Sequence, residues 1–149
     1  MGIFRSMEIC ASGMTAQRYR MDVISQNLAN EDTTRTADGT PYRRRLVVFQ
    51  EKNEPYSFAN WFTAAQQAGR SAGAGVRVVS VEEDYKSDFK VVYDPKHPDA
   101  DAEGYVRYPN VDREQELVDM LGALRAYEAN VTAMNNFKNM ATKALEIAR

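Results

Sequence analysis

Both ends of the chain carry apolar residues spaced for a helix, and that spacing limits the fold more than any other feature. Ile3, Met7, Cys10, Met14, Gln17, Met21, Ile24 and Leu28 fall at alternating steps of four and three. This is the period of a seam that one helix presents to another. One polar residue, Gln17, interrupts it, and Gly13 lowers the local helix propensity by about 1 kcal/mol against alanine. The pattern fails at Asn30-Glu31-Asp32-Thr33-Thr34, a polar run suited to turning the chain.

A second seam runs through Leu117, Met120, Leu124, Tyr127, Val131, Met134, Lys138, Ala141, Leu145 and Ala148. Asp112 followed by Gln115 resembles a capping box, and no proline interrupts the stretch from Asp112 to Arg149. A helix of that extent is on the order of 55 Å long, more than a compact domain of 149 residues accommodates. Gly122, Asn130, Asn135, Asn136 and Asn139 lower its propensity, so its stability depends on a partner.

The material between the seams differs. Tyr42–Phe49, Val76–Val81 and Phe89–Tyr93 are short runs rich in β-formers, each bounded by Gly, Pro, Asp or Asn, and Gly104–Tyr108 adds a fourth. They predict one small sheet. Residues 51–75 read as a flexible loop, with a short helical turn near Phe58–Ala65 and a glycine-rich run at its end. The fold class that follows is α+β. Residues 1–31 and 112–149 form a terminal helical assembly domain with two long antiparallel, coiled-coil-like helices, and residues 32–111 form a β-rich insert. With the inner ends of the helices level, paired residue numbers total about 145. That sets Leu28 by Leu117, Ile24 by Leu121, Met21 by Leu124, Gln17 by Glu128, Met14 by Val131 and Cys10 by Asn135. The helices outreach the insert, so apolar stripes remain for other copies or other proteins to cover.

Composition excludes several roles. No window approaches 18 apolar residues, so no transmembrane helix is expected. The first ten residues, broken by Arg5, Ser6 and Glu8, do not make a cleavable signal peptide. Nineteen basic against 21 acidic residues leave no nucleic-acid footprint, and the single cysteine, Cys10, allows no internal disulfide. Asp94, His97, Asp99 and Asp101 gather the only histidine with three carboxylates, the residue types of a metal site. Two prolines stiffen that segment and no second histidine follows, so an acidic surface loop is the better reading. No nucleophile lies in a recognisable catalytic setting, and neither an enzyme, a cofactor nor a metal is expected. Arg43-Arg44-Arg45 opens a strand whose alternation splits the three charges between two faces. These arginines are expected to meet acidic loops such as 94–101 across a subunit interface. Amides at Asn27, Asn30 and Asn130 lie beside the seams, where they can fix register.

Ser12-Gly13-Met14-Thr15-Ala16-Gln17 and Asp22-Val23-Ile24-Ser25-Gln26-Asn27-Leu28-Ala29-Asn30 closely resemble the N-terminal signature of the flagellar axial proteins of rod and hook. Glu116-Leu117-Val118-Asp119-Met120 and Arg125-Ala126-Tyr127-Glu128-Ala129-Asn130-Val131 resemble the matching C-terminal signature. Thr33-Thr34-Arg35-Thr36, Pro41-Tyr42-Arg43-Arg44 and the stretch from Tyr93-Asp94-Pro95 to Gly104-Tyr105-Val106 are similar to the proximal rod type within that family.

The resemblance implies a structural subunit of the bacterial flagellar basal-body rod. Such a subunit is exported unfolded by the flagellar type III apparatus without a cleaved signal. It polymerises through its terminal helices around the export channel, with copies of itself and other rod proteins as partners, in the part that crosses the periplasm. Asn27, Ala29, Asn30, Tyr127, Glu128 and Asn130 match family motif positions. With the seam residues Met14, Gln17, Met21, Ile24, Leu28, Leu117, Met120, Leu124 and Val131, all of these but Ala29 make up the candidate assembly interface. The rival reading is a coiled-coil adaptor outside any flagellum, which should be a helical dimer in solution where a rod subunit is a monomer with poorly ordered ends.

Overall fold

The computed structural model describes residues 3–52 and 73–147. Helix α1 spans Ile3–Ala29, strands β1 to β4 span Arg45–Glu51, Val76–Glu83, Lys90–Tyr93 and Tyr105–Tyr108, and helix α2 spans Arg113–Ile147. The α+β class read from the sequence holds. At 27 and 35 residues the helices are about 40 and 52 Å long.

Helix α1 ends where the polar run begins. Asn30 Nδ2 donates to the Gln26 carbonyl at 2.8 Å, and Thr33 Oγ1 donates to Asn30 Oδ1 at 3.2 Å. The Gln26 carbonyl is thereby covered, and the backbone N–H groups of Asn30 and Glu31 reach the Asn27 and Leu28 carbonyls as the chain turns. Helix α2 starts at Asp112, whose Oδ1 accepts the Glu114 N–H at 3.2 Å. Only half of the expected capping box forms. Gln115 turns its amide forward to Asp119 Oδ2, at 3.4 Å, because that carboxylate belongs to a larger network.

The strands make two hairpins rather than one sheet. β1 pairs antiparallel with β2, and β3 with β4. A bulge between Val48 and Phe49 skips Val79, which is left half exposed. A two-stranded hairpin is marginal alone, and the first gains its support from α1. At one end Asn27 Nδ2 donates to the Arg45 carbonyl at 2.9 Å, and at the other Ser12 Oγ accepts the Val76 N–H at 3.1 Å. From Ser12 to Asn27 the helix rises about 22 Å, and strand β1 extends about 23 Å, so helix and hairpin match in length. Gly75, at φ +111°, lies against Ser12 and Ile9, where a side chain would collide with the helix.

The loop expected over 51–75 falls mostly on residues 53–72, as does the helical turn near Phe58–Ala65, and both lie outside the described residues. Its two ends continue the hairpin. Lys52 N–H donates to the Gly75 carbonyl at 2.7 Å and Ala74 N–H to the Lys52 carbonyl at 3.2 Å.

The buried residues gather between α1, α2 and the start of the insert. Cys10, Ala16, Val23, Ile24, Tyr42, Val106, Val111 and Ala123 are the buried apolar members, joined by Asn27, Asn110 and Glu116. The helices are antiparallel. Asn27 meets Glu116 and Gly13 faces the Asn130 side chain, pairs whose numbers total 143, two short of the expected 145. The face of α2 also differs from expectation. Glu116, Ala123 and Asn130 lie inward, while Leu117 and Leu124 of the predicted seam are 47% and 40% exposed. Small residues explain the rotation. A side chain at Gly13 would come within 3.0 Å of the Asn130 amide, so the glycine that weakens α1 lets α2 approach closely. A leucine facing inward would hold the helices apart.

Candidate assembly interface

A buried polar hub locks the helices to each other and to the insert. Asn27, 1% exposed, uses every hydrogen-bonding position of its side chain. Nδ2 donates to the Arg45 carbonyl (2.9 Å) and to Glu116 Oε2 (3.1 Å), while Oδ1 accepts Tyr42 OH (2.9 Å) and the Arg45 N–H (2.9 Å). Burial raises the Tyr42 phenol above its ordinary value of 10.0, so it remains a neutral donor. Glu116, fully buried in the first turns of α2, accepts Arg44 Nε on its second oxygen. Its position near a helix N-terminus favours the negative charge. Arg44 Nη2 reaches Asp119 Oδ2 at 3.1 Å, and Arg20 of α1 reaches Asp119 Oδ1 at 3.3 Å.

Asn110 ties in the rest of the insert. Its Oδ1 accepts the Arg44 N–H at 2.8 Å, and its Nδ2 donates to the carbonyls of Asp84 (3.0 Å) and Ser87 (3.2 Å). Lys90 Nζ donates to the Val111 carbonyl at 2.7 Å, and Arg113 pairs with Glu31 at 2.8 Å across the two helix ends.

Each of the three consecutive arginines has a partner within the chain. Arg43 lies between the rings of Tyr85 and Phe89, 4.6 and 4.3 Å from their centroids. Arg44 enters the hub, and Arg45 approaches Glu83 at 3.7 Å. The acidic loop is likewise occupied. Asp94 and Asp101 accept N–H groups of their own turns, and Asp99 accepts Thr34 Oγ1 at 2.7 Å with Arg35 nearby. Among the described residues no three His, Cys, Asp or Glu side chains converge as metal ligands would.

The expected interface residues divide. Ile24 and Asn27 are buried between α1 and its neighbours, and Met14, Gln17, Met21, Leu28, Met120, Tyr127, Asn130 and Val131 are half-buried along the helix pair. Leu117, Leu124 and Glu128 face outward. Asn30 and Asn130 do not bond across the pair. Asn30 covers the end of α1, and Asn130 Nδ2 returns to the Ala126 carbonyl at 2.8 Å. Gln17 does not meet Glu128, which is exposed, and its Oε1 is buried without a hydrogen-bond partner among the described residues. Register rests instead on Asn27, Glu116, Tyr42, Arg44 and Asn110. Sequence periodicity skipped Glu116 because a carboxylate is not counted as a seam residue, although it shares a face with Ala123 and Asn130 at seven-residue steps.

Outward from this pair, α2 presents Leu117, Val118, Leu121 and Leu124, each 40–63% exposed, over its first three turns. Contiguous exposed apolar residues are a general feature of contact surfaces.

Comparison with known proteins follows the same division of the chain. Residues 7–35 match the family model of the flagella basal body rod protein, and residues 102–147 that of the flagellar basal body rod FlgEFG protein C-terminal region. The chain is 51% identical over 153 residues to the flagellar basal-body rod protein FlgC of Bacillus subtilis (strain 168), covering all of both chains. It is 48% identical to that of Borreliella burgdorferi, over 99% of this chain and 98% of the other. It is 40% identical to that of Escherichia coli O6:H1, again over the whole of both. These matches give the adaptor reading no support. Relatives this similar over full length show that the chain belongs to the FlgC family of flagellar basal-body rod proteins.

Proposed function

We propose that this chain is a structural, non-enzymatic subunit of the proximal flagellar rod, joined to its neighbours by the outer faces of α1 and α2. Family membership supports the rod role and its place in the basal body. The observation that carries the assembly mode is the outward stripe Leu117, Val118, Leu121 and Leu124, uncovered although the inner face of the same helix is packed. The candidate interface comprises that stripe, Glu128 and the half-buried rim from Met14 to Leu28 and from Met120 to Val131. The hub would hold the two helices at one angle, so that each added subunit offers the same surface to the next. Partners are further copies and other rod proteins. Delivery through the flagellar type III apparatus, without a cleaved signal peptide, into the part of the rod that crosses the periplasm completes the reading. No helix among the described residues is long and apolar enough to cross a membrane.

Deletion of the gene, followed by electron microscopy of the basal bodies, tests this. Rods should be missing or truncated and the cells non-motile, with both restored by the intact gene. Complete rods in the deletion strain would overturn the proposal.

A further inference from the structure

Strand β3 has one edge on β4 and the other open. The Asp94 N–H donates to the Gly104 carbonyl at 3.0 Å. Antiparallel alternation from that bond turns the backbone groups of Val92 toward β4 and those of Val91 and Tyr93 outward. Nothing among the described residues bonds these outward groups. The side chains are equally bare, with Val91 60% exposed, Val92 47% and Tyr93 64%. An open edge of this kind is a template for a further strand.

The charges around the edge select that strand. Asp88, Lys90, Asp94 and Lys96 form no ion pair among the described residues. Reflection of the sequence about Val92 exchanges their signs. Three registers bring Val91 and Tyr93 of one β3 against the same residues of a second, antiparallel β3. With Val91 opposite Val91, Asp88 meets Asp94. With Tyr93 opposite Tyr93, Lys90 meets Lys96, and Pro95, which has no N–H, stands opposite Val91. With Val91 opposite Tyr93, Lys90 meets Asp94 and Asp88 meets Lys96, while Val92 faces Val92 on a two-fold axis. Only this last register opposes every charge to its opposite. It also sets each Val91 beside the other copy's Tyr93, whose ring already meets Tyr105 at 5.3 Å.

We propose that two copies of the chain pair through the open edges of β3, making a continuous antiparallel sheet in the order β4-β3-β3-β4. The contact is small, so the pair is weak and reversible. A two-fold contact closes at two chains and cannot extend a rod. It therefore belongs to the unassembled chain and stands apart from the rod reading. It also differs from the adaptor's dimer, which the helices would join.

Cross-linking and charge reversal in the full-length chain test this. Leu121→Glu is carried throughout to remove association through the outer face of α2, with Cys10→Ser in the cysteine variants. Val92→Cys should form a disulfide-linked dimer on oxidation, because facing residues of a non-hydrogen-bonded pair hold their Cα atoms about 4.5 Å apart. Val91→Cys should not. In sedimentation across a range of concentrations, Lys90→Asp or Asp94→Lys alone should weaken pairing about tenfold. The two together should restore it, since each charge again meets its opposite. A Val92→Cys chain that stays monomeric, or single reversals that pair as well as the parent, would overturn the proposal. So would efficient linkage of Val91→Cys, which marks another register, or a double reversal that fails to recover. Val92→Cys linked in cells only to a different protein would overturn the second copy as the occupant.

Discussion

Asn27 is one buried amide that makes four hydrogen bonds. Asn27→Ala strands the Arg45 N–H, the Tyr42 hydroxyl and one oxygen of Glu116, and should cost about 3 kcal/mol in denaturant unfolding. Arg44→Met leaves the Glu116 carboxylate buried without its guanidinium, and a loss of about 3–5 kcal/mol is expected by the same measurement. The phenol supplies a pH signature. Folding raises the Tyr42 pKa, so the native state holds its proton more tightly than the unfolded chain. Its contribution is complete below the unfolded value of 10.0 and is lost as pH rises through the higher folded value. Tyr42→Phe should lose about 1 kcal/mol at neutral pH and unfold with a shallower dependence on pH above 10. An unchanged alkaline profile would remove Tyr42 from the hub. None of these roles was legible from periodicity, because Asn27, the segment from Tyr42 to Arg44 and Glu116 are far apart in sequence and lie on no common local repeat. Their only signal was membership of motifs shared with the axial proteins.

Between elements, spacing alone located both helices and all four strands of the described residues, since a period of about 3.5 and a run of β-branched residues report local geometry directly. On α2 it erred by part of a turn, since Leu117 and Leu124 face out while Met120, Tyr127 and Val131 of the same seam stay half-buried. Periodicity ranks leucine as core and glycine as a defect, whereas close approach at Gly13 and Ala123 selects the small side of α2 and turns the leucines out. The two-residue change in register has a direct test. Cys10 is buried, Ala133 is half-buried and Asn135 is exposed. Oxidation should therefore join Cys10 to a new thiol in Ala133→Cys and not in Asn135→Cys, because a disulfide needs Cα atoms roughly 4.4–6.8 Å apart. The two faces of the helix pair should also separate by phenotype. Ile24→Ser, in the buried face, should lower the thermal midpoint by several degrees. Leu121→Ser, in the outward stripe, should leave that midpoint nearly unchanged and abolish motility.

Taken as one molecule, the chain divides into an anchored half and a bare half. The hub and the first hairpin grip α1 from Ser12 to Asn27 and the opening turns of α2. The far end of α2 has no such support, so hydrogen exchange of the isolated chain should be slow over 16–27 and 113–127 and fast over 138–147. This differs from uniformly disordered ends, the outcome expected of two seams without partners, because the polar hub was invisible in the seams themselves. What assembly adds is cover for the outward stripe. The most direct test is the amount of this chain in purified basal bodies, measured by mass spectrometry, for cells carrying the unsubstituted chain or Leu121→Glu at matched expression. The unsubstituted chain should be present in a fixed ratio to other rod proteins and the variant absent, although it folds. Equal amounts of the two, or absence of both from intact rods, would contradict assembly through the outer face of α2.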